Sequence, residues 1–561
     1  MPWASANPSI ELLRWRAIRD SLPFIGTSAA DLPATRHCRG RSTQRTGSRF
    51  GGNTVASKSI REFDVVVVGG GGSGLAAAIA AASEGARTVV LEKSTELRGS
   101  TGRSVGSIAA SGTPDQKRLG IADSADRHLA DYRVISGHLA ATENVELAMV
   151  LTHNVTETVA WLREMGMEFF GPVGESPHSA PRLHNVLPGS RSYIYHLERR
   201  ARRLGVVIEL GVAGDRLLHE DGRVTGVEAH DAVGHRQTYA ARRGVVLAAG
   251  DFSASATLKR EWIDDRVSRF VPVNPCATGD AQRMALELGG QVLNAEVFDV
   301  PSMRLAPPPS EGLFGLLQKL PPRAAVTKPI RWGLANLPNR LIRSLMMGFV
   351  TTYLSPREAL FDSGAILVDT HGRLRSNTSE NINLVVAELG EDGGYIVGDR
   401  TLYEKFSSDP HYVATAPGVA FAYMPDFRRS RKDVYAEAPT TDELAAEIGI
   451  SAAALNKSIA DAAASVTGGA APLTEGPYFA LGPVRAYLLQ TNGGLKVSTR
   501  LEVLGRDDRP IRGLYAAGNA GQGGLALFGH GHHLGWAFTS GRIAGRNVAR
   551  AASAQHLAAA E

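Results

Sequence analysis

The chain's 561 residues are 43% apolar with 61 glycines, which excludes a disordered or fibrous protein, and no apolar run reaches the ~18 residues of a membrane span. Two cysteines, Cys38 and Cys276, exclude a disulfide framework or a thiolate metal cluster and fit a reducing, cytoplasmic compartment. The net charge of +5 is local: residues 1–61 hold 10 Lys and Arg against 3 Asp and Glu, the remainder 51 against 53, so no nucleic-acid surface is expected.

In chain order, residues 1–59 come first. They lack the apolar stretch of a signal peptide, and GRSTQRTGSRFGGN has the composition of a disordered segment. Glu11, Asp20 and Asp31 argue against a transit peptide. The expectation is a disordered basic leader or a native start near Val55.

Residues 63–93, FDVVVVGGGGSGLAAAIAAASEGARTVVLEK, read as strand, glycine turn, helix and strand. Residues 65–68 are a β-branched apolar run suited to a parallel strand buried on both faces. Gly69, Gly71 and Gly74 fit G-x-G-x-x-G, with Gly72 and Ser73 opening the helix where its amides face a pyrophosphate. Glu92, followed by Lys93, ends the second strand where an acid holds a ribose hydroxyl. Together these predict a dinucleotide site.

Residues 99–112 alternate glycine with Ser and Thr, and 142–167 carry a helical stripe on which Met149, Trp161 and Met165 are expected in the core. Strands are expected at 206–212, 223–228 and 244–249, the last ending at Ala249-Gly250. Prolines 307–309, 321, 322, 329 and 338 mark an insertion. Within it, residues 312–356 mix Lys319, Arg323, Lys328, Arg331, Arg340 and Arg343 with apolar residues and no acid. That is either a cap helix with a solvated basic face or a segment lying in a membrane interface. Residues 441–458 predict a helix pair turning at Gly449.

GLYAAGNAGQGG at 513–524, followed by a helix from Leu534 and Gly535, resembles the second flavin-binding segment of FAD-dependent oxidoreductases. With GSTGRSVGS (99–107), VVLAAGDF (245–252) and ATGDAQRMALELGG (277–290), the chain is similar to the fumarate reductase/succinate dehydrogenase flavoprotein superfamily, over roughly residues 59–552. That superfamily includes the 3-ketosteroid dehydrogenases. The resemblance implies an α/β fold: a Rossmann-like FAD-binding domain (60–300 and 485–552) with an inserted α+β cap, or substrate, domain (301–484). It implies FAD held also by Ser100, Thr101, Gly106, Ala213, Asp280, Gly518 and Asn519, although Asp280 could equally be a helix N-cap.

Fumarate reductases of this group clamp two carboxylates with two Arg and two His. The matching positions here are Pro301–Ser302, 379–382 (SENI), Gln490 and 528–530, and none carries the expected cation. A site without them cannot offset the desolvation of a dicarboxylate. The Tyr of the ketosteroid enzymes is absent too; LALFGHGHHLG stands in its loop. His530 and His532 are therefore read as acid–base or carbonyl-binding groups, with solvated structural histidines as the alternative. No metal is expected, because no carboxylate ligand lies near them in sequence. Arg182 matches an arginine near the entrance of some relatives, or is a surface loop charge. The resemblance thus implies an FAD-dependent oxidoreductase acting on a C–C bond beside a carbonyl, on an apolar, steroid-like small molecule, with an unidentified electron partner. The alternatives are a reductase of small unsaturated carboxylates with a rebuilt clamp and a flavin-fold binding protein without turnover.

Overall fold

A computed structural model describes residues 60–306, 320–338, 347, 350–351, 354–416, 420–465 and 473–551. The leader and much of the basic 312–356 segment lie outside the described residues.

Strand β1 (Ile60–Val68), helix α1 (Gly72–Ser83) and strand β2 (Thr88–Glu92) form the expected unit. Val65, Val66 and Val67 have no exposed surface, and each buried valine of this kind contributes ~1.5–3 kcal/mol. Packing dictates the third glycine of the fingerprint: a Cβ on Gly74 would stand 1.9 Å from the Gly69 carbonyl oxygen.

Helix α2 (Ala125–Ser136) is capped by Ser124 and α3 (Val145–Glu164) by Asn144, each side chain accepting from a backbone N–H. On α3 the buried stripe runs through Ala148, Leu151, Thr152, Val155, Val159 and Leu162. Met149 falls beside that stripe and is 46% exposed, so it is not a core residue. Trp161 and Met165 pack against the core partly buried, with the Arg542 guanidinium 5.2 Å from the Trp161 ring centre.

Strands β3 (Val207–Leu210), β4 (Val212–Glu220), β5 (Arg223–Asp231) and β6 (Arg236–Leu247) follow. β6 starts earlier than the apolar run suggests because its first half pairs antiparallel with β5. After α4 (Asp280–Glu287) the chain enters a second sheet. Its strands are β7 (Ser302–Leu305), β8 (Ile366–Asp369), β9 (Leu374–Ser376), β10 (Gly394–Gly398), β11 (Tyr435–Ala438) and β12 (Tyr478–Leu488), joined by the short strand Val271–Pro272. β12 is its hub, pairing with β7, β10, β11 and Val271–Pro272. Against it lie α5 (Thr441–Ile448) and α6 (Ala452–Ser465), whose turn at Gly449 is as read from sequence.

Strands β13 (Glu502–Leu504) and β14 (Pro510–Ala516) and helix α7 (His532–Arg550) return to the first sheet. Its order is β13-β14-β5-β6-β1-β2-β3, with β4 on β5. The parallel strands end together: Val68 pairs with Leu91 and Leu247, and Leu247 with Ala516. The loops after β1, β2, β6 and β14 therefore meet at one carboxyl edge, where doubly wound sheets place their ligands. α7 closes over α1 at very short range, since a Cβ on Gly545 would lie 2.1 Å from the Ala77 carbonyl oxygen.

Candidate active site

The four converging loops enclose an open groove of about 860 Å³. Its walls include Gly69, Gly71, Gly72, Ser73, Glu92, Lys93, Ser100, Thr101, Ala213, Ala249, Gly250, Asp280, Gly518 and Asn519. The predicted cofactor residues Gly74, Gly106, Leu534 and Gly535 are not on this wall. The Gly106 carbonyl accepts from the Tyr193 hydroxyl, and a Cβ on Gly535 would meet Val155 and Leu151, so both glycines serve packing. Leu534 is buried in the core that α7 shares with the sheet.

One end of the groove is built from backbone and a fixed acid. Glu92 accepts from Gly70 N–H at 2.7 Å and from Ser94 N–H at 2.8 Å. Burial pushes its carboxyl up, against these two hydrogen bonds that favour the charged form. Lys93 reaches across to Asp280 at 2.7 Å and also bonds Thr278. Burial would raise the Asp280 carboxyl, yet Lys93 beside it holds it below the usual range. Gly279, not Asp280, is the N-cap of α4; Asp280 sits in the first helical turn. The arrangement fits FAD: although Gly72 N–H donates to Thr101 Oγ1 at 3.2 Å, a Cβ on Gly71 would meet nothing within 4 Å, so the turn leaves room for a phosphate at the N-terminus of α1, with Glu92 on the same wall.

The other end is a side-chain network that sequence reasoning missed. Asn519 Nδ2 donates to Gln490 Oε1 at 2.8 Å, and Gln490 Nε2 donates to Asp299 Oδ2 at 2.7 Å. Asn492 Nδ2 donates to Asp299 Oδ1 at 2.9 Å and accepts from Gln522 at 2.8 Å. The second Gln490 amide hydrogen goes to His533 Nε2. Burial lowers the His533 pKa although Asp299 opposes it, so His533 is neutral with its proton on Nδ1, an atom without a protein partner. Asp251, also on the groove wall, is fully buried; burial pushes its carboxyl up to about 6, with Asp299 adding to the shift. Its Oδ1 accepts from Ser253 N–H at 2.7 Å while Oδ2 has no partner. The AAGDF motif shows Asp251 in the sequence; nothing there shows that Asp299 would join it.

The predicted catalytic residues lie elsewhere. His530 is 40% exposed at its side chain and bonds Glu175 at 2.6 Å. His532 is fully buried, facing His128 and His178 rather than the groove wall. Arg182 is neither an entrance charge nor a surface one: it is buried, held by Asp123 at 2.7 Å and by Asp131. The reason is local. At the α7 N-terminus consecutive side chains diverge, so His533 turns toward Gln490 while His532 turns toward α2.

These features define a dinucleotide-binding flavoprotein site, and the comparisons give its family. The chain belongs to the FAD binding domain family, whose model matches residues 64–315 and 358–531. It is 26% identical over 538 residues to an NADH:fumarate oxidoreductase of Klebsiella pneumoniae (strain 342), covering 91% of this chain and 50% of that protein. The chain thus spans about half the length of that relative. It is 25% identical over 519 residues to a vinyl phenol reductase of Lactiplantibacillus plantarum, covering 87% and 96% respectively. The open conformation of a flavocytochrome c3 fumarate reductase shares the fold, with a TM-score of 0.64 at 21% identity over 87% of this chain and 78% of that one. Among the described residues no helix is long and apolar enough to cross a membrane.

Proposed function

We propose that this chain is an FAD-dependent oxidoreductase acting on a carbon–carbon double bond, or its saturated counterpart, beside the carbonyl of a neutral, apolar small molecule. The observation that carries this reading is Asp299. Where fumarate reductases set cations for a carboxylate, this site sets a carboxylate held by Gln490 and Asn492. The network from Asn519 through Gln490 to His533 contains one anion and no cation, so a second carboxylate from a substrate meets repulsion instead of a clamp. The Lactiplantibacillus relative, matched along nearly its whole length, is named for a vinyl phenol, a substrate with no carboxylate.

FAD bound in the groove supplies the hydride-transferring group. The chain's own residues hold and orient it: Glu92 at the ribose, the α1 amides at the phosphates, Asn519 at the mouth of the network. His533 is fixed by Gln490 and its buried Nδ1 has no protein partner; on this reading it donates to a substrate carbonyl. Asp251, titrating near 6, is the group on the wall able to exchange a proton near neutral pH.

The test is an anaerobic panel in which the flavin spectrum reports turnover. Reduced protein is expected to be reoxidised by cyclic and steroid-like enones and not by fumarate or acrylate. Rapid reoxidation by fumarate overturns the reading in favour of a carboxylate reductase. A protein that binds no flavin overturns it in favour of a binding protein.

A further inference from the structure

Three histidines far apart in sequence meet beneath the start of α7. His128 comes from α2, His178 from the loop after Phe169–Val173, and His532 from the first position of α7. One ring nitrogen from each lies within 4.8 Å of the other two. His128 Nε2 and His532 Nε2 are 3.0 Å apart, and the His178 and His532 ring centres 5.3 Å apart. His128 and His532 have no exposed surface.

Hydrogen bonding does not account for this cluster. A proton shared between His128 and His532 satisfies one nitrogen on each ring. His178 Nε2, turned into the cluster, remains buried without a partner, and it is the atom an ion held by the three Nε2 atoms would take up; His128 Nδ1 and His532 Nδ1 are unpartnered either way. Charge points the same way. The nearest buried cation, Arg182, is held by both Asp123 and Asp131, leaving the ion-paired group beside the imidazoles with a net charge of −1.

We propose that His128, His178 and His532 bind one borderline divalent transition-metal ion of the zinc or cobalt class. An all-imidazole set suits such ions and not magnesium or calcium, which take oxygen ligands. Zinc–nitrogen bonds of about 2.0–2.1 Å place tetrahedral ligand atoms roughly 3.3 Å apart. The His128–His532 pair already has nearly that spacing, and His178, on a loop, lies within 4.8 Å of both. Three protein ligands leave the fourth position open. The ion would tie α2 and the 174–182 loop to the first turn of α7, one residue before His533.

The test uses tag-free, FAD-loaded protein stripped with a chelator and dialysed against zinc, with metal content measured per chain and coordination read by X-ray absorption. One zinc per chain with an imidazole-nitrogen shell is expected. His178→Gln, at a partly exposed position that folding tolerates, is expected to lower zinc affinity beyond the ~10–100-fold that a lost outer-shell partner costs. His530→Gln, on the exposed rim, is expected to leave it unchanged. Retained FAD and circular dichroism show that each variant is folded; if His128→Gln does not fold, His178→Gln decides. No stoichiometric zinc on the wild type, or equal binding by wild type and His178→Gln, overturns the proposal.

Discussion

The two ends of the groove are built on opposite principles. At the Glu92 end, recognition rests on the N-terminus of α1, one buried acid fixed by the Gly70 and Ser94 amides, and the Lys93–Asp280 pair. At the Asn519 end it rests on side chains borrowed from five distant segments, and several of their atoms remain unpartnered: Asp251 Oδ2, His533 Nδ1 and Gln522 Oε1. An end whose acids are already held in place suits a cofactor, and an end with unpartnered side-chain atoms suits a substrate. Substitutions at the two ends are therefore expected to fail in different ways.

The largest effect is expected at Glu92. Glu92→Ala removes the carboxylate that fixes Gly70 and Ser94 and faces the ribose. Hydrogen bonds to a charged group contribute ~1.5–3 kcal/mol each, so FAD affinity is expected to fall roughly 10²–10³-fold. The flavin-to-protein ratio after gel filtration measures it, and an unchanged ratio would break the division between the ends.

Asp251 gives the next effect, on stability. Its folded pKa of about 6 lies above the ~3.9 of an unfolded Asp, so the folded state binds the proton more tightly. Relative to Asn, the aspartate therefore costs stability that is absent below pH ~4 and grows until about pH 6. Two pKa units correspond to an upper bound of ~3 kcal/mol. Denaturant melts of flavin-free protein are expected to show Asp251→Asn more stable than wild type at pH 7.5 and equal at pH 4. The opposite sign would mean that Oδ2 has a charged partner.

The third compares two histidines three residues apart. His533→Ala removes the Nδ1–H donor and is expected to slow turnover of the true substrate by ~10²-fold or more, with FAD still bound. His530→Ala breaks an exposed pair with Glu175, the kind of contact worth ~0–1 kcal/mol, and is expected to change the rate less than tenfold. A reversal of that order would return catalysis to the rim.

Legibility divides along the same line. The fingerprint glycines, Glu92 and the adjacent strands were readable because they are local: strand period, turn chemistry and helix start all lie within residues 63–93. The strand ends and the Gly518–Asn519 return were readable by resemblance. The Asp299–Gln490–His533 network was not, because Asp299 and Gln490 are 191 residues apart and the members meet only through the docking of β12 and α7. Nor could the sequence say which of His530, His532 and His533 faces which way. A one-residue difference at a helix N-terminus rotates a side chain by ~100°. Arg182 failed for a related reason, since its two carboxylate partners lie 51 and 59 positions earlier.

The smallest expected effect lies outside the groove, on the helix Ala324–Asn336. Only Thr327 is buried along it; Trp332 is 62% exposed, and Leu320 and Leu337 flank it at 45% and 40%. Lys328 and Arg331 stand on the same short segment, and Arg331 is only loosely paired with Glu168 at 3.4 Å. An exposed indole beside cations suits the boundary of an anionic bilayer, where each Lys or Arg near the surface contributes about 1 kcal/mol. Lys319, Arg340 and Arg343, which would add to this, lie outside the described residues. The contribution is weak and screened by salt, so the protein is expected to co-sediment with phosphatidylserine vesicles at low ionic strength and to be released as salt shortens the Debye length. Trp332→Ala is expected to reduce sedimentation at every salt concentration while leaving the flavin spectrum unchanged. If wild-type protein stays in the supernatant at all ionic strengths, the helix is a cap element packed on the Tyr195–His196 side of the flavin domain, to which Arg323 and the Pro322 carbonyl already join it at 3.5 and 2.9 Å.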